Sequence, residues 1–324
     1  DQLSIIKRPI EAEFERFCSL FEKSITYSDG LLAEVLRHIR QRGGKRMRPI
    51  LMLLIAKSYG AISDVTLHSA IGMELLHTAS LVHDDVVDES QERRGQASVN
   101  ASFNNKAAVL VGDFILSTAL LHVSYTNNQR IIENLAGVGR TLASGELLQL
   151  SNIQSEEISE EVYYRIIQNK TAALFESCAA IGALSAGAPA EDVALSSEFG
   201  RNLGMMFQIR DDIFDYFDSK EIGKPTGNDM AEGKLTLPII YALNTAPYDS
   251  MHTLAKKVKT GTINADEIAV LVEYAKKFGG IDYAEERMLD YHRRALSYVE
   301  NSVSSADIRE SLIVYLDYVI HRNK

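Results

Sequence analysis

Residues 65–89, VTLHSAIGMELLHTASLVHDDVVDE, decide the fold of this chain of 324 residues. The stretch is apolar with a helical period, and it predicts one long helix that carries the acidic pattern DDVVD near its end, at residues 84–88. A second pattern of the same form, DDIFD, occupies residues 211–215, again within an apolar helical stretch. We name these segments the first and the second aspartate motif, and their shared spacing indicates a shared chemistry.

Each motif concentrates negative charge on one face of a helix. Residues i and i+4 share a face, so Asp84 stacks with Asp88, and Asp211 stacks with Asp215. Like charges on an apolar background are costly unless a cation binds them. Carboxylate oxygens suit hard ions such as Mg²⁺, which usually also binds substrate phosphates when few carboxylates hold it. The pattern predicts two carboxylate walls that face each other across divalent metal ions.

The composition indicates a globular protein with one domain over residues 1–324. Hydrophobic residues make up 46% of the chain, and no linker rich in proline, glycine or serine divides it. The net charge of −10 disfavours nonspecific binding of nucleic acid. Cys18 and Cys178 lie far apart in apolar helical contexts, which predicts buried free thiols in a reducing compartment. Because the first residues also lack the pattern of a signal peptide, we expect a cytoplasmic protein.

Residues 107–123 are the most apolar helical segment. Their length is at the short limit for a membrane span, and the segment contains Asp113 and His122. We therefore expect a core or interface helix that does not cross a membrane. A segment too apolar to face solvent also predicts a homodimer.

Helical periodicity dominates the chain, while strand signals are weak. The predicted fold is all-α, a single large bundle of long helices around a central cavity, completed by about four shorter helices near the C-terminus. The principal helices are predicted at Ile10–Glu22, Leu31–Gln41, Pro49–Ser58, Val65–Glu89, Asn105–Tyr125, Gln129–Ser151, Ser159–Gly187, Asp192–Asp218 and Pro238–Thr245.

A basic loop precedes the helix that starts near Pro49. Residues 37–48 hold six arginines and lysines, and Gly43-Gly44 would let the backbone approach a ligand closely. The helix N-terminus that follows favours anions, so the loop predicts a phosphate site. The alternative is a solvated basic face. Arg93 and Arg94, just past the first motif, fit phosphate oxygens as well, although they could be ordinary surface residues.

Further polar residues interrupt apolar helical stretches. His77 lies on nearly the same helical face as Asp84, and Gln208 shares a face with Asp211. A lone histidine in such a helix is usually a satisfied core residue, and a buried lysine can extend to solvent. Each residue alone is thus ambiguous as a site residue. The remaining candidates are Lys170, Thr171, Lys224 and Lys234.

Taken together and in this order, these segments resemble the trans-isoprenyl diphosphate synthase family, especially its long-chain polyprenyl members. The resemblance rests on residues 43–49 (GGKRMRP), residues 77–95 (HTASLVHDDVVDESQERRG), Lys170-Thr171 and residues 207–238, and it spans nearly the whole chain. It implies a prenyltransferase. Isopentenyl diphosphate would add head-to-tail to the carbocation of an allylic diphosphate such as farnesyl diphosphate, and Mg²⁺ would stabilise the leaving group.

The resemblance also implies a role for each matching residue. The diphosphate of isopentenyl diphosphate would be bound by Lys45, Arg48, His77 and Arg94, and the allylic diphosphate by Arg93, Lys170, Lys224 and Lys234. Asp84 and Asp88 would coordinate Mg²⁺ with Asp85 in support, and Asp211 would hold another Mg²⁺ with Asp212 and Asp215 acting through water or outer contacts. Thr171 and Gln208 would line the site of positive charge. The six aspartates and Lys170 form the catalytic set.

Two alternatives share parts of this pattern. A terpene cyclase would share the helical architecture and the first motif, but its second metal motif normally mixes Asn, Ser or Thr, and Glu. It would also have no use for an isopentenyl site. A non-catalytic subunit of a heteromeric synthase would lose aspartates, whereas this chain keeps all six. A catalytic subunit that needs a small partner stays open.

Residues that precede the first motif bear on product length. In the resembling family, short-chain members place an aromatic residue four or five positions before the first aspartate, where Ser80 and Ala79 stand here. Leu76 and Met73 follow two and three turns below the carboxylates, and each turn rises ~5.4 Å. Small residues could merely permit close helix packing. We nevertheless expect an open tunnel and a hexaprenyl to decaprenyl product, with octaprenyl as the central expectation.

Overall fold

The structure, a computed structural model, describes residues 1–218 and 226–322. The chain divides into two compact units. The first unit comprises Asp1–Gly139, Leu174–Glu198 and Ser302–Leu312. The second comprises Arg140–Ala173, Phe199–Asn301 and Ile313–Lys324. The expectation of one domain therefore stays a prediction.

The all-α prediction is confirmed, and most predicted helices lie within a few residues of their expected bounds. Up to residue 124 the chain forms α1 (Gln2–Lys7), a 3₁₀ turn (Arg8–Ile10), α2 (Glu11–Ser24), α3 (Gly30–Gln41), α4 (Met47–Tyr59), α5 (Asp64–Val87), strands β1 (Glu92–Arg93) and β2 (Gln96–Ala97), α6 (Val99–Ser102) and α7 (Asn105–Ser124).

The described remainder of the chain is helical as well. It forms α8 (Gln129–Gln154), α9 (Glu160–Ile167), a π-helical segment (Gln168–Ala172), α10 (Ala173–Ser185), α11 (Ala190–Phe214), α12 (Asn228–Ala231), α13 (Leu237–Thr245), α14 (Asp249–Thr260), α15 (Ala265–Lys277), α16 (Gly280–Ser302) and α17 (Ala306–His321). The C-terminal helices are longer than the short ones expected, since α16 alone has 23 residues.

Helix α5 forms the centre of the first unit. It packs mainly against α7 and α4, and most of its residues between Leu67 and Val82 are buried. Close contact with α7 needs a glycine, because a Cβ on Gly72 would lie 2.5 Å from Val123 Cγ2. The first motif stands at the C-terminal end of this helix, where Asp84 and Asp88 are less buried than the residues before them.

A short two-stranded hairpin, which the sequence analysis did not predict, follows α5. Glu92 pairs with Ala97 and Arg93 with Gln96, in antiparallel register. The two-residue turn between the strands, Arg94-Gly95, has positive φ at both positions, 52° and 74°. That geometry matches the type I′ turn, whose twist suits a short hairpin. The strands are too short to show an alternating pattern in the sequence.

The predicted continuous helix Ser159–Gly187 contains the π-helical segment Gln168–Ala172. An extra residue in one turn widens the helix locally, and such segments occur often at functional sites. Here the segment contains both Lys170 and Thr171.

Helix α7 is long and apolar enough to span a membrane by length and composition, with a mean hydropathy of 1.7. One face of α7 is buried and includes Ala108 and Ile115, whereas Leu110, Leu120 and Leu121 are exposed. Asp113 on the same helix lies 3.3 Å from His83 of α5. Packing against α5 indicates a core helix with a second, uncovered apolar face. The expected homodimer would cover that face.

Candidate active site

The first aspartate motif divides into one buried and two accessible carboxylates. Asp85 is 1% exposed, while Asp84 is half-buried and Asp88 is exposed. Arg93 donates to both oxygens of Asp85, through Nε at 3.0 and 2.9 Å and through Nη2 at 2.8 Å. A bidentate guanidinium neutralises and orients this buried carboxylate. Asp85 thus supports the motif from a buried position, and Asp84 and Asp88 lie on its more accessible side.

The hairpin also positions Arg94. Its Nη1 donates to the Gly43 carbonyl oxygen at 2.8 Å, and a Cβ on Gly44 would lie 2.7 Å from the same nitrogen. Gly43-Gly44 therefore lets a guanidinium approach the backbone, a role that the sequence pattern left to a ligand. His38 fastens the hairpin to α3, because its Nε2 lies 2.7 Å from the Ala97 carbonyl oxygen.

A small basic cavity lies within the first unit. It is found where the loop between α3 and α4, helix α5 and the hairpin meet. Four arginines line it, together with Glu74, His77 and Thr78 and apolar residues of α2, α3 and α5. Two of the four guanidinium groups pair with carboxylates, those of Glu74 and Asp85. The four arginines therefore carry two positive charges more than these two carboxylates neutralise. The cavity encloses about 30 Å³, so a diphosphate needs these side chains to move apart. The four are Arg42, Arg46, Arg93 and Arg94.

His77 is a buried polar residue of this basic cavity. Burial, and then the positive charge of Arg48 and its neighbours, holds the pKa of the imidazole well below its usual range. Among the described residues, neither His77 Nδ1 nor the buried Nε and Nη2 of Arg42 has a hydrogen-bond partner. Buried donors without partners are costly, and an anion with several oxygens would satisfy them.

Some of the predicted binders line the cavity, together with residues that the sequence analysis did not name. His77 and Arg94 line it, and Arg48 lies close enough to affect His77, with its guanidinium 4.6 Å from the Phe175 ring centroid. Lys45 is exposed on the loop and does not line the cavity. The sequence analysis missed Arg42, Arg46 and Glu74 as site residues. The first two belong to the basic stretch, and Glu74 lies one helical turn before His77.

Arg46 is held in an unusual conformation. It has a φ of 57°, its Nη1 donates to Glu74 at 2.8 Å, and its guanidinium lies 4.5 Å from the Phe21 ring centroid. A non-glycine residue in this region is strained by about 1 kcal/mol or more and persists only where its surroundings hold it. Arg94 shares this backbone region, and both residues line the cavity.

The second aspartate motif also has a buried middle residue, but its support is different. Asp212 is 5% exposed and accepts from two neutral groups, the Tyr163 hydroxyl and Gln208 Nε2, the latter at 2.8 Å. Asp211 forms an ion pair with Arg322. Asp215 accepts from the backbone N–H groups of residues 228 and 229, both at 3.1 Å, and so caps α12. Gln208 therefore bonds to the middle aspartate and not to Asp211.

The π-helical segment positions the remaining candidates of the second unit. Lys170 Nζ lies 2.9 Å from Glu146 Oε1 and donates to Gln149 Oε1 at 2.6 Å. Thr171 donates to Gln208 Oε1 at 2.8 Å. Lys234 pairs with Glu232 at 3.3 Å. Lys224 lies outside the described residues.

The expected chain-length residues lie along α5. Ala79, Leu76 and Met73 are buried, while Ser80 is half-buried and donates to the His77 carbonyl oxygen at 2.7 Å. Leu76 approaches α8, since its Cδ1 lies 3.9 Å from the position of a Cβ on Gly139. The first turn below the carboxylates is thus lined by small side chains, and a flexible leucine follows.

The donor set suits a hard divalent ion. Within residues 1–218 and 226–322, no three histidine, cysteine, aspartate or glutamate side chains converge as a preformed metal site. Both cysteines are free thiols, and burial raises the pKa of Cys178 to about 12. Accessible carboxylates supply the oxygen ligands that hard divalent ions prefer.

Comparisons of this chain with family models and with known proteins agree on one family. The family model described as polyprenyl synthetase matches residues 29–275. The chain is 36% identical over 296 residues to the octaprenyl diphosphate synthase of Haemophilus influenzae, a match that covers 90% of this chain and 89% of that protein.

Solved structures agree with this match. A geranylgeranyl pyrophosphate synthase from Bacteroides thetaiotaomicron is 50% identical, with a TM-score of 0.88 and coverage of 99% of this chain and 100% of that one. A polyprenyl synthase from Caulobacter crescentus, complexed with calcium and isoprenyl diphosphate, is 31% identical, with a TM-score of 0.91 and coverage of 99% and 98%. The relatives share the fold and the kind of product, but their names differ in product length.

Proposed function

The chain belongs to the polyprenyl synthetase family and is a prenyltransferase; from this premise we propose that it extends an allylic diphosphate with isopentenyl diphosphate to a long all-trans polyprenyl diphosphate. The observation that carries the proposal is the basic cavity beside the first aspartate motif. Its surplus positive charge and unpartnered donors suit a diphosphate. A carboxylate motif next to it suits a second diphosphate that arrives with metal ions.

The reaction needs three events from the substrates. The allylic C–O bond breaks to leave a carbocation and a diphosphate, the alkene of isopentenyl diphosphate attacks the cation, and a proton is lost to the departing diphosphate. Arg42, His77 and Arg94 hold isopentenyl diphosphate in this scheme. Lys170, fixed by Glu146, contributes positive charge to the allylic diphosphate. No covalent intermediate with the protein is required.

Asp84, Asp88 and Asp211 are the proposed ligands of Mg²⁺. When bound, the ion supplies Lewis-acid stabilisation to the leaving diphosphate. Asp85 and Asp212 support these ligands and do not bind the ion directly in this scheme. Their oxygens already accept hydrogen bonds from Arg93 and from neutral donors, respectively. The calcium in the Caulobacter crescentus structure supports a divalent ion in the family.

Two product lengths are candidates. We favour the octaprenyl range, because Ala79 and Ser80 place no bulky side chain in the first turn below the carboxylates. The second candidate is geranylgeranyl diphosphate. The 50% identity to a geranylgeranyl pyrophosphate synthase favours it, as does the approach of Leu76 to α8 at Gly139.

Product analysis tests both the activity and the length. Purified protein is incubated with farnesyl diphosphate, isopentenyl diphosphate and Mg²⁺, and the products are sized by chromatography. We expect chains of hexaprenyl to decaprenyl length. A C20 product would select the second candidate, and no elongation would contradict the proposed function.

A substitution locates the tunnel. Ala79→Tyr should shift the products toward farnesyl or geranylgeranyl length with turnover retained, because the ring fills the space below the carboxylates. Ala79→Ser is the matched control and should leave the length unchanged, since it adds one oxygen only. The same length distribution in both variants would show that residue 79 does not line the tunnel.

The homodimer and the cytoplasmic location are further parts of the proposal. The exposed leucines of α7 support the dimer, because a second copy would remove them from water. Two free thiols support a reducing compartment. Light scattering at micromolar concentration tests the dimer, and Leu121→Glu should shift the mass toward that of the monomer.

A further inference from the structure

A chain of hydrogen bonds joins four side chains of the second unit. Thr171 Oγ1 donates to Gln208 Oε1 at 2.8 Å, and Gln208 Nε2 donates to Asp212 Oδ1 at 2.8 Å. The Tyr163 hydroxyl donates to the other oxygen, Asp212 Oδ2. This series of hydrogen bonds begins at Thr171 in the π-helical segment and ends at Asp212, whose two carboxylate oxygens each accept one hydrogen bond from it.

The direction of every bond in this chain is determined by its buried end. A carboxylate only accepts hydrogen bonds, so Gln208 must turn its NH₂ group to Asp212 and its carbonyl oxygen to Thr171. The threonine has a single hydroxyl proton, which it gives to that carbonyl. Any further partner of Thr171 Oγ1 therefore meets lone pairs and not a proton.

Tyr163 supports this arrangement from a buried position. It is 5% exposed, and burial, followed by the negative charge of Asp212, raises the pKa of its phenol well above the usual range. The phenol therefore keeps its proton.

The main chain supports the same geometry. Tyr163 lies on α9, which leads directly into the π-helical segment. A Cβ on Gly204 would lie 2.5 Å from Ala172 Cα, so α11 can approach the segment closely enough for Gln208 to reach Thr171.

We propose that Tyr163 is a positioning residue for the prenyl transfer. Acting through Asp212 and Gln208, it directs the lone pairs of Thr171 toward the developing allylic cation. The inference rests on the proposed function and deepens it. A fixed dipole with its negative end toward a cation stabilises the transition state without reorganisation. In Tyr163→Phe, Asp212 loses one donor, Gln208 can rotate, and the threonine proton is no longer directed away from the cation.

The chain offers a matched control on the same helix. Tyr164 also donates to a carboxylate, Glu160 Oε1 at 2.9 Å, but it does not belong to this hydrogen-bond chain. Tyr163→Phe should lower kcat about tenfold or more, with the KM of both substrates within about twofold. Tyr164→Phe should leave kcat and both KM values within about twofold of wild type. Equal kcat values in the two variants, or a rise in KM at unchanged kcat, would overturn the proposal.

Two double-mutant cycles separate positioning from simple destabilisation. If Tyr163 acts through Thr171, adding Tyr163→Phe to Thr171→Val should change kcat little further, whereas multiplicative losses would overturn the inference. A thermal-unfolding cycle of Tyr163→Phe with Asp212→Asn should be non-additive, and additive shifts in Tm would also overturn it. An inactive wild type would refute the proposed function and the kinetic role together, whereas an active wild type with an unaffected Tyr163→Phe refutes only this inference.

Discussion

The two aspartate motifs have the same spacing but different partners. In the first, the buried Asp85 is held by a guanidinium, and the hairpin that supplies this Arg93 follows directly in sequence. In the second, the buried Asp212 is held by the neutral groups of Tyr163 and Gln208. A guanidinium instead pairs with the accessible Asp211, and it comes from Arg322 near the C-terminus. The comparison shows that the same sequence pattern can place its cationic partner in two ways. In the first motif an arginine pairs with the buried middle aspartate, and in the second an arginine pairs with the more accessible first aspartate.

The largest expected effect tests what the motifs share. Asp84→Ala and Asp211→Ala should each lower turnover by roughly 10²-fold or more at saturating substrate, because each removes a proposed metal ligand. Circular dichroism should show an unchanged helical fold. Near-wild-type turnover by either variant would remove that aspartate from the metal site.

The next prediction compares how much stability each buried aspartate gains from its partners, a guanidinium for Asp85 and neutral groups for Asp212. Asp85→Asn should lower the free energy of unfolding by roughly 2–3 kcal/mol, because it leaves the partly buried charge of Arg93 without its counterion. Asp212→Asn should cost about 1–2 kcal/mol, since it weakens hydrogen bonds from neutral groups. Urea denaturation of both variants compares the two values. A larger loss in Asp212→Asn would reverse the ranking.

The arginines of the hairpin should separate the two substrates. Arg94→Ala should raise the KM of isopentenyl diphosphate about tenfold, because one charged contact is worth about 1.5 kcal/mol. Arg93→Lys keeps the charge beside Asp85 and should raise mainly the KM of the allylic substrate. Titration of each substrate against each variant checks this, and indistinguishable effects would contradict two separate diphosphate sites.

The smallest effect concerns Arg322, the cation that pairs with Asp211 of the second motif. Arg322→Ala should lower the Mg²⁺ concentration needed for thermal stabilisation without substrate by about two- to fivefold, since a partly exposed ion pair is worth ~1 kcal/mol or less. His321→Ala is the control, because His321 pairs with Asp317 at 3.0 Å and not with Asp211. An unchanged Mg²⁺ requirement in Arg322→Ala would show that the ion pair does not compete with metal.

Sequence separation explains which parts of the site could be predicted. Helical period and the i, i+4 rule predict α5 and the face that Asp84 shares with Asp88, because those relations are local. Tyr163, which donates to Asp212, and Arg322, which pairs with Asp211, lie 49 and 111 positions away from these aspartates, and no periodic signal connects them. The π-helical segment escaped prediction because one extra residue per turn hardly alters an apolar pattern. That Arg94 is the neighbour of Gly43-Gly44 could not be predicted, because the sequence shows a need for space and not which group fills it.

The hairpin after α5 has a consequence for natural variation. Surface turns usually tolerate insertions. This turn, however, has only two residues, and both have the positive φ that a tight hairpin requires. A single residue inserted at Arg94-Gly95 would therefore change the turn geometry that directs Arg94 to the Gly43 carbonyl, while Arg93 reaches Asp85 from the strand before it. We expect the six positions of this exposed hairpin, residues 92–97, to keep a constant length even where the neighbouring loops vary.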